Sequence, residues 1–365
     1  MQPFTYTALP ARVIFGHDTS DQVAQEVKNL GCSRVLVLTT PHQVEAGEKI
    51  KGYLGDLAVG IYTNATMHTP IEVTQEALEK AKELKVDCVV SVGGGSTIGL
   101  GKALALHSGE GKDKIKQIVI PTTYAGSEAT PIIGQTEKDK NGQPLKTTQK
   151  TNKVLPETII YDVSLTLSLP ISMTVTSALN AIAHSVEALW APSPNPVTSS
   201  LALQGISALA KALPVLTKSS QDKDARMLAL FGAYASGTVL GTVGMSLHHK
   251  LCHTLGGSFG MPHSETHTLI LPHATAYNAD YAQSAISQIH QALELPKDTS
   301  VAQGLYDLAE KNGARMALKE FGFKEEDLMK ATEIACKAAY PNPAPLEKEK
   351  ILKLLTDAFN GTRPE

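Results

Sequence analysis

The sequence predicts an α/β N-terminal domain over residues 1–165, built on a parallel sheet with helices on both faces, followed by an all-α domain over residues 166–365. Three observations predict this. Strand-like and helix-like patterns alternate through the first half of the chain. Strand character fades after the run TIIYD at 158–162, and helical spacing takes over from residue 171. At 365 residues the chain is too long for one small core.

Residues 34–39 (RVLVLT) form an apolar run of strand length, and 58–63 (AVGIYT) read the same way. Residues 71–84 carry apolar side chains at helical spacing, with a polar face rich in Glu and Lys. Residues 86–92 are a third strand, closed by Gly93, Gly94 and Gly95, and 117–121 a fourth. The domain boundary is placed between Leu165 and Pro170. Beyond it, 171–191, 198–216, 222–240 and 246–255 read as helices, as do stretches within 300–320 and 346–359.

Composition excludes several functions. A net charge of −3 leaves no basic face for nucleic acid. Cys32, Cys88, Cys252 and Cys336 are scattered, which fits a reducing compartment better than a disulfide framework. The N-terminus lacks a charged-then-apolar signal pattern, and no run of about 18 apolar residues suggests a membrane span. A cytoplasmic enzyme acting on a small molecule is expected.

Residues 90–104 read VSVGGGSTIGLGKAL, a strand running through a glycine triplet into a helix. Glycines let a pyrophosphate approach the backbone, and the helix start supplies N–H groups and a positive dipole end. Ser96 adds a hydroxyl. This is neither the G-x-G-x-x-G fingerprint nor a Walker motif. Alone it reads equally well as a tight turn. A second loop, IPTTYAGSEAT at 120–130, offers Thr122, Thr123 and Ser127 past another strand. Two such loops favour a dinucleotide on a Rossmann-like sheet. Thr39 ends the 34–39 run and Thr40 follows it, with no acidic residue beside them. Such a residue would hold a ribose 2′-hydroxyl and repel a 2′-phosphate, so NADH or NADPH is expected.

Of the twelve histidines, seven lie between positions 184 and 273. Asn180 and His184 are four apart and share a helix face, as do His249 and His253. His263, His267 and His273 follow. His248 reads as a packed helix residue, and His267 and His273 stay open between packing and function. His184, His249, His253 and His263 together read as a site. It looks like a metal cage whose anionic ligand has been replaced by the neutral amide of Asn180.

These residues resemble the superfamily of iron-type alcohol dehydrogenases and glycerol dehydrogenases, from Val13-Ile14-Phe15-Gly16 to Pro341-Asn342-Pro343. That superfamily has a GGGS turn, a PTT loop, an L-x-L-P segment at the start of the helical lobe, and Asp-x3-His…His…His metal ligands. Here these are Gly93 to Ser96, Pro121 to Thr123, Leu167 to Pro170, and Asn180, His184, His249 and His263. Three departures resemble its maleylacetate reductase branch: Gly99 in place of an Asp, the shortened loop TTYAGSE at 122–128, and Asn180.

The resemblance implies a dehydroquinate synthase-like architecture. It also implies NAD(P)H-dependent reduction of a conjugated C=C bond in a small dicarboxylate during aromatic-compound degradation, no metal, and a homodimer. It puts Lys146 near the cofactor ribose and His253 beside the nicotinamide. His249 and His253 are the expected proton donors, with His184, His263 and Asn180 shaping the pocket. Tyr124 is expected to meet substrate, and Ser127 substrate or cofactor. A metal-dependent alcohol dehydrogenase accepting Asn180 as a ligand is the alternative.

Overall fold

The computed structural model describes residues 4–9, 11–111, 114–138, 144–192 and 194–365, without the side chains of 137–138 and 144–146. The chain forms two compact units, Ala8–Leu169 and Pro170–Glu365, the second including the N-terminal residues up to Thr7.

The first unit runs β1 (Arg12–Gly16), α1 (Val23–Asn29), β2 (Val35–Leu38), α2 (Val44–Leu54), β3 (Ala58–Tyr62), α3 (Ile71–Glu83), β4 (Cys88–Gly93), α4 (Gly95–His107), β5 (Lys116–Pro121), β6 (Ile132–Lys138), β7 (Pro144–Lys150) and β8 (Thr158–Asp162). Six strands form a parallel sheet in the order β1-β8-β5-β4-β2-β3. Every residue of β2, β4 and β8 is buried, because helices cover both faces of the sheet. Two core clusters result. One joins Val35, Val37, Val90 and Ile118 to α1 and α2, and the other joins Leu36, Leu38 and Val89 to α3 and α4.

Two features of the sheet position the glycine turn. The strand order reverses at β2, which has β3 on one side and β4 on the other, so the loops after β2 and β4 border a topological switch point. Gly93 is also in register with Pro121, so the glycine turn and the PTT loop leave the sheet at one level.

The structure adds to the sequence reading. The 34–39 run is the second strand of the chain. β1 precedes it at a sheet edge, where its half-exposed residues give a weak strand signal. β6 and β7 form a separate antiparallel hairpin that the sequence did not announce.

The second unit runs α5 (Ile171–Leu189), α6 (Pro196–Leu216), α7 (Lys223–Thr242), α8 (Leu247–Phe259), α9 (His263–Asn278), α10 (Gln283–Ala292), α11 (Val301–Lys311), α12 (Leu328–Cys336) and α13 (Lys348–Asn360). α6 is long and apolar enough by composition to cross a membrane. It packs against α5 and α7 with Ala202, Ile206, Leu209, Leu213 and Leu216 buried, as a core helix does. α9 escaped the sequence reading because Thr266 to Thr275 are buried without a break, which leaves little polar–apolar contrast, and Pro272 interrupts it.

Lys102 of α4 ties the loop after β5 to the sheet. It is 1% exposed. Its Nζ donates to the carbonyls of Ser127 (2.6 Å), Thr130 (2.8 Å) and Ile132 (2.8 Å) and to Thr130 Oγ1 (2.9 Å). Burial lowers its pKa to about 7, and the carboxylate of Glu128 opposes that fall. Replacing Lys102 with Met leaves buried carbonyls unpaired, so Lys102→Met is expected to destabilise the chain by about 3 kcal/mol or more in urea unfolding. A loss well under about 1 kcal/mol would show that the loop holds its shape without the lysine.

Candidate active site

The two halves of the expected site lie in different units. In the α/β unit, α4 starts with Gly94 as N-cap, no side-chain cap and no acidic residue in its first turn. Its first N–H groups therefore have no partner within the helix. Gly93 has φ +150°, and a Cβ there would come within 2.5 Å of Thr97 Oγ1 and 2.8 Å of Gln43 Oε1. A Cβ on Gly94 would come within 2.8 Å of Thr123 Cγ2. Only glycine fits here, and the result is a backbone cradle at a helix N-terminus, which suits the pyrophosphate of a dinucleotide.

The flanking hydroxyls divide. Ser96, Thr123 and Ser127 are half-buried beside the cradle. Thr122 is buried, and its Oγ1 accepts a hydrogen bond from Gln43 Nε2 at 2.8 Å. Gln43 thus links the loops after β2 and β5, a role that sequence reading missed. Thr39 is fully buried and donates to the Gln43 carbonyl, whereas Thr40 is half-exposed. Tyr124 is fully buried. Lys146 pairs with Thr136 in the β6–β7 hairpin, and its side chain falls outside the described residues. At Gly99, a Cβ would run into Thr69 Oγ1, so an aspartate there would require the Thr69 side chain to shift.

In the helical unit the histidines converge. Asn180 and His184 on α5, His248 and His249 on α8 and His267 on α9 are all at most 5% exposed. His253 and His263, on the same helices, are exposed. Ring centroids lie 5.1 Å apart for His184–His249, 4.9 Å for His249–His267, 4.3 Å for His263–His267 and 6.1 Å for His249–His253.

Glu187 organises this cluster. It lies on α5, three residues after His184, and is 0% exposed. Its carboxylate accepts the backbone N–H groups of Ser246 (3.0 Å), His248 (2.8 Å) and His249 (3.4 Å), capping α8 from another helix. It also accepts from Ser246 Oγ at 3.0 Å and from His249 Nδ1 at 2.7 Å. His248 Nε2 donates to the His267 carbonyl at 2.9 Å, so His248 Nδ1 is the acceptor facing His249 Nδ1 at 3.2 Å. Both bonds require Nδ1–H on His249, which leaves its Nε2 as a lone pair when the ring is neutral.

Burial holds the rings neutral. His184, His249 and His267 are pushed well below the ordinary histidine range, first by desolvation and then by neighbouring histidines. His248 is lowered to about 4, again chiefly by burial. Asn180 Oδ1, His184 Nδ1, His249 Nε2 and both nitrogens of His267 are buried and form no hydrogen bond within the protein. The unit therefore contains a cluster of uncharged polar groups whose hydrogen-bonding capacity is unspent.

The chain belongs to the iron-containing alcohol dehydrogenase family. The family model "Iron-containing alcohol dehydrogenase" matches residues 10–163, and "Fe-containing alcohol dehydrogenase family, C-terminal" matches 174–359. Within that family the chain is 50% identical to a maleylacetate reductase of Rhizobium sp. (strain MTP-10005), over 100% of both chains. The crystal structure of maleylacetate reductase from Agrobacterium tumefaciens superposes with a TM-score of 0.93 at 49% identity, covering 100% of both chains. An iron-containing alcohol dehydrogenase from Corynebacterium glutamicum ATCC 13032 matches with a TM-score of 0.92 at 36% identity, covering 100% of this chain and 99% of that one. The chain is an oxidoreductase.

The family name implies iron, and the donor set here fits it poorly. Where the superfamily pattern has an aspartate, Asn180 supplies an uncharged amide oxygen. Among the described residues, ligand atoms come within 4.8 Å of one another in Glu187–His248–His249 and His248–Cys252–His267. In the first group the atoms are already hydrogen-bonded to one another and to α8. In the second, His248 Nε2 is bonded to the His267 carbonyl, and burial pushes the Cys252 thiol well up, away from the thiolate a metal needs.

Buried neutral histidines make stability depend on pH. His273, 4% exposed, is lowered to about 4 by burial, in the same direction as the cluster. In the unfolded chain these rings titrate near 6.5, so the unfolded state binds protons first as pH falls. Stability is therefore expected to be full above pH ~6.5 and to drop as pH falls toward ~4, by up to about 1.4 kcal/mol per pH unit for each linked histidine. Urea midpoints measured across that range check this. His273→Gln should reduce the slope, and a flat profile would contradict it.

Proposed function

We propose that this chain reduces the conjugated C=C bond of maleylacetate to give 3-oxoadipate in the breakdown of aromatic compounds, using NADH or NADPH and no metal. The observation that carries this reading is the cluster of buried, uncharged imidazoles around Asn180. The substrate is a dianion, and a carboxylate in place of Asn180 would repel it. Full-length identity of 50% to a maleylacetate reductase supports the same reading.

Bound NAD(P)H supplies a hydride to the alkene carbon β to the ketone. The chain's own residues do the rest. The backbone at Gly93 and Gly94 and the start of α4 hold the pyrophosphate, and Ser96, Thr123 and Ser127 flank it. Thr40, with no acidic neighbour, leaves both cofactors acceptable. Negative charge develops on the ketone oxygen, and Asn180, His184, His249 and His263 shape the pocket that receives it. The α carbon needs a proton. His253, exposed on α8, exchanges protons with solvent and is the better donor. His249 can donate from Nε2 only after it is protonated there, a state the adjacent Glu187 carboxylate would support. A cytoplasmic homodimer belongs to the same proposal.

The test is oxidation of NADH and NADPH by chelator-treated protein with maleylacetate as substrate. Full activity without added metal is expected. Activity that returns only with Fe²⁺ or Zn²⁺ would overturn the metal-free reading in favour of a metal-dependent alcohol dehydrogenase.

A further inference from the structure

His267 is a buried histidine that the mechanism above leaves unused, and the cluster is arranged around it. It lies on α9, one helical turn beyond His263, and is 1% exposed. Its ring centroid is 4.3 Å from His263, 4.9 Å from both His248 and His249, 6.4 Å from His253 and 6.5 Å from His184. The ring packs edge-to-face on His184, His248 and His249, at 79°, 75° and 79°. Packing therefore fixes the ring plane, while neither ring nitrogen makes a hydrogen bond within the protein. The backbone is anchored separately, because the His267 carbonyl accepts from His248 Nε2.

The other unspent atoms show what is missing. Asn180 Oδ1 is an acceptor, His249 Nε2 is an acceptor while its ring is neutral, and His184 Nδ1 is a donor in only one of its two neutral tautomers, whereas His267 has both ring nitrogens unspent. An oxygen that gains negative charge needs a donor. A neutral imidazole always carries one N–H, and a buried one can offer it without first gaining a proton. We propose, resting on the function above, that His267 is a further catalytic residue whose ring N–H hydrogen-bonds the substrate ketone oxygen and stabilises it as an enolate. In that step hydride forms the new C–H bond at the β carbon. The alkene electron pair moves to join the α and carbonyl carbons, and the carbonyl pair moves onto oxygen. His267 keeps its proton throughout. The α carbon then takes its proton from solvent by way of His253 or His249, and the ketone re-forms.

The test compares wild type with His267→Gln, which keeps an N–H donor, and with His267→Leu and His267→Met, which fill the space without one. Maleylacetate turnover, NADH affinity and thermal melting are measured for each. The donor-free variants should lose roughly a hundredfold or more in kcat, with KM and NADH affinity changed little. His267→Gln should recover much of that loss, and the pH dependence of kcat should keep its position. Equal losses in Gln, Leu and Met variants that all melt normally would assign a packing role instead. A raised KM with unchanged kcat would also overturn the proposal, by showing ground-state binding only. Two donor-free variants are used so that one can be read if the other fails to fold. Wild type that ignores maleylacetate would instead refute the function itself, and this proposal with it.

Discussion

The helical unit depends on one buried carboxylate. Glu187 is fully buried inside α5, where an isolated charge would be costly, and the structure surrounds it with donors: two backbone N–H groups of α8, the Ser246 amide and hydroxyl, and His249 Nδ1. The same carboxylate caps α8 and selects the tautomer of His249. Trp190 Nε1 reaches the Ser246 hydroxyl as well, at 3.1 Å, which ties the end of α5 into the network. Helix packing and imidazole chemistry thus share one anchor.

The α/β unit solves a similar problem with the opposite charge. Lys102 is buried among carbonyls and holds the loop after β5, beside the glycine cradle. In both units the buried charges serve the framework. The groups left with unspent hydrogen-bonding capacity in the histidine cluster are uncharged. Under the proposed function a dianionic substrate would meet uncharged polar groups there, which would avoid like-charge repulsion.

Much of this was legible in the sequence. The continuous apolar runs of β2 and β4, buried on both faces, announced a parallel sheet, and the glycine triplet after β4 announced a cradle. Helical spacing placed Asn180 with His184, and His249 with His253, on shared helix faces. The rest is tertiary. Glu187 reads as one more helix residue in SVEAL, although its position three after His184 puts it on the same face, and that spacing could have found it. His267, four after His263, carried the same signal. Thr122 and Tyr124 sit in a polar loop past a strand, a place that points to ligand contact. Burial of the tyrosine, and the bond from Gln43 to Thr122, depend on contacts between distant loops.

We propose that a Glu187-anchored cluster of neutral histidines serves here in place of a metal. Nitrogen NMR of protein labelled with ¹⁵N only at histidine, chelator-treated and near neutral pH, tests it most directly. The account predicts neutral rings, with the proton on Nδ1 of His249 and on Nε2 of His248, and spectra that do not move when Zn²⁺ or Fe²⁺ is added. Imidazolium signals from the buried rings, or resonances of His184, His249 and His263 that shift together with metal, would contradict it.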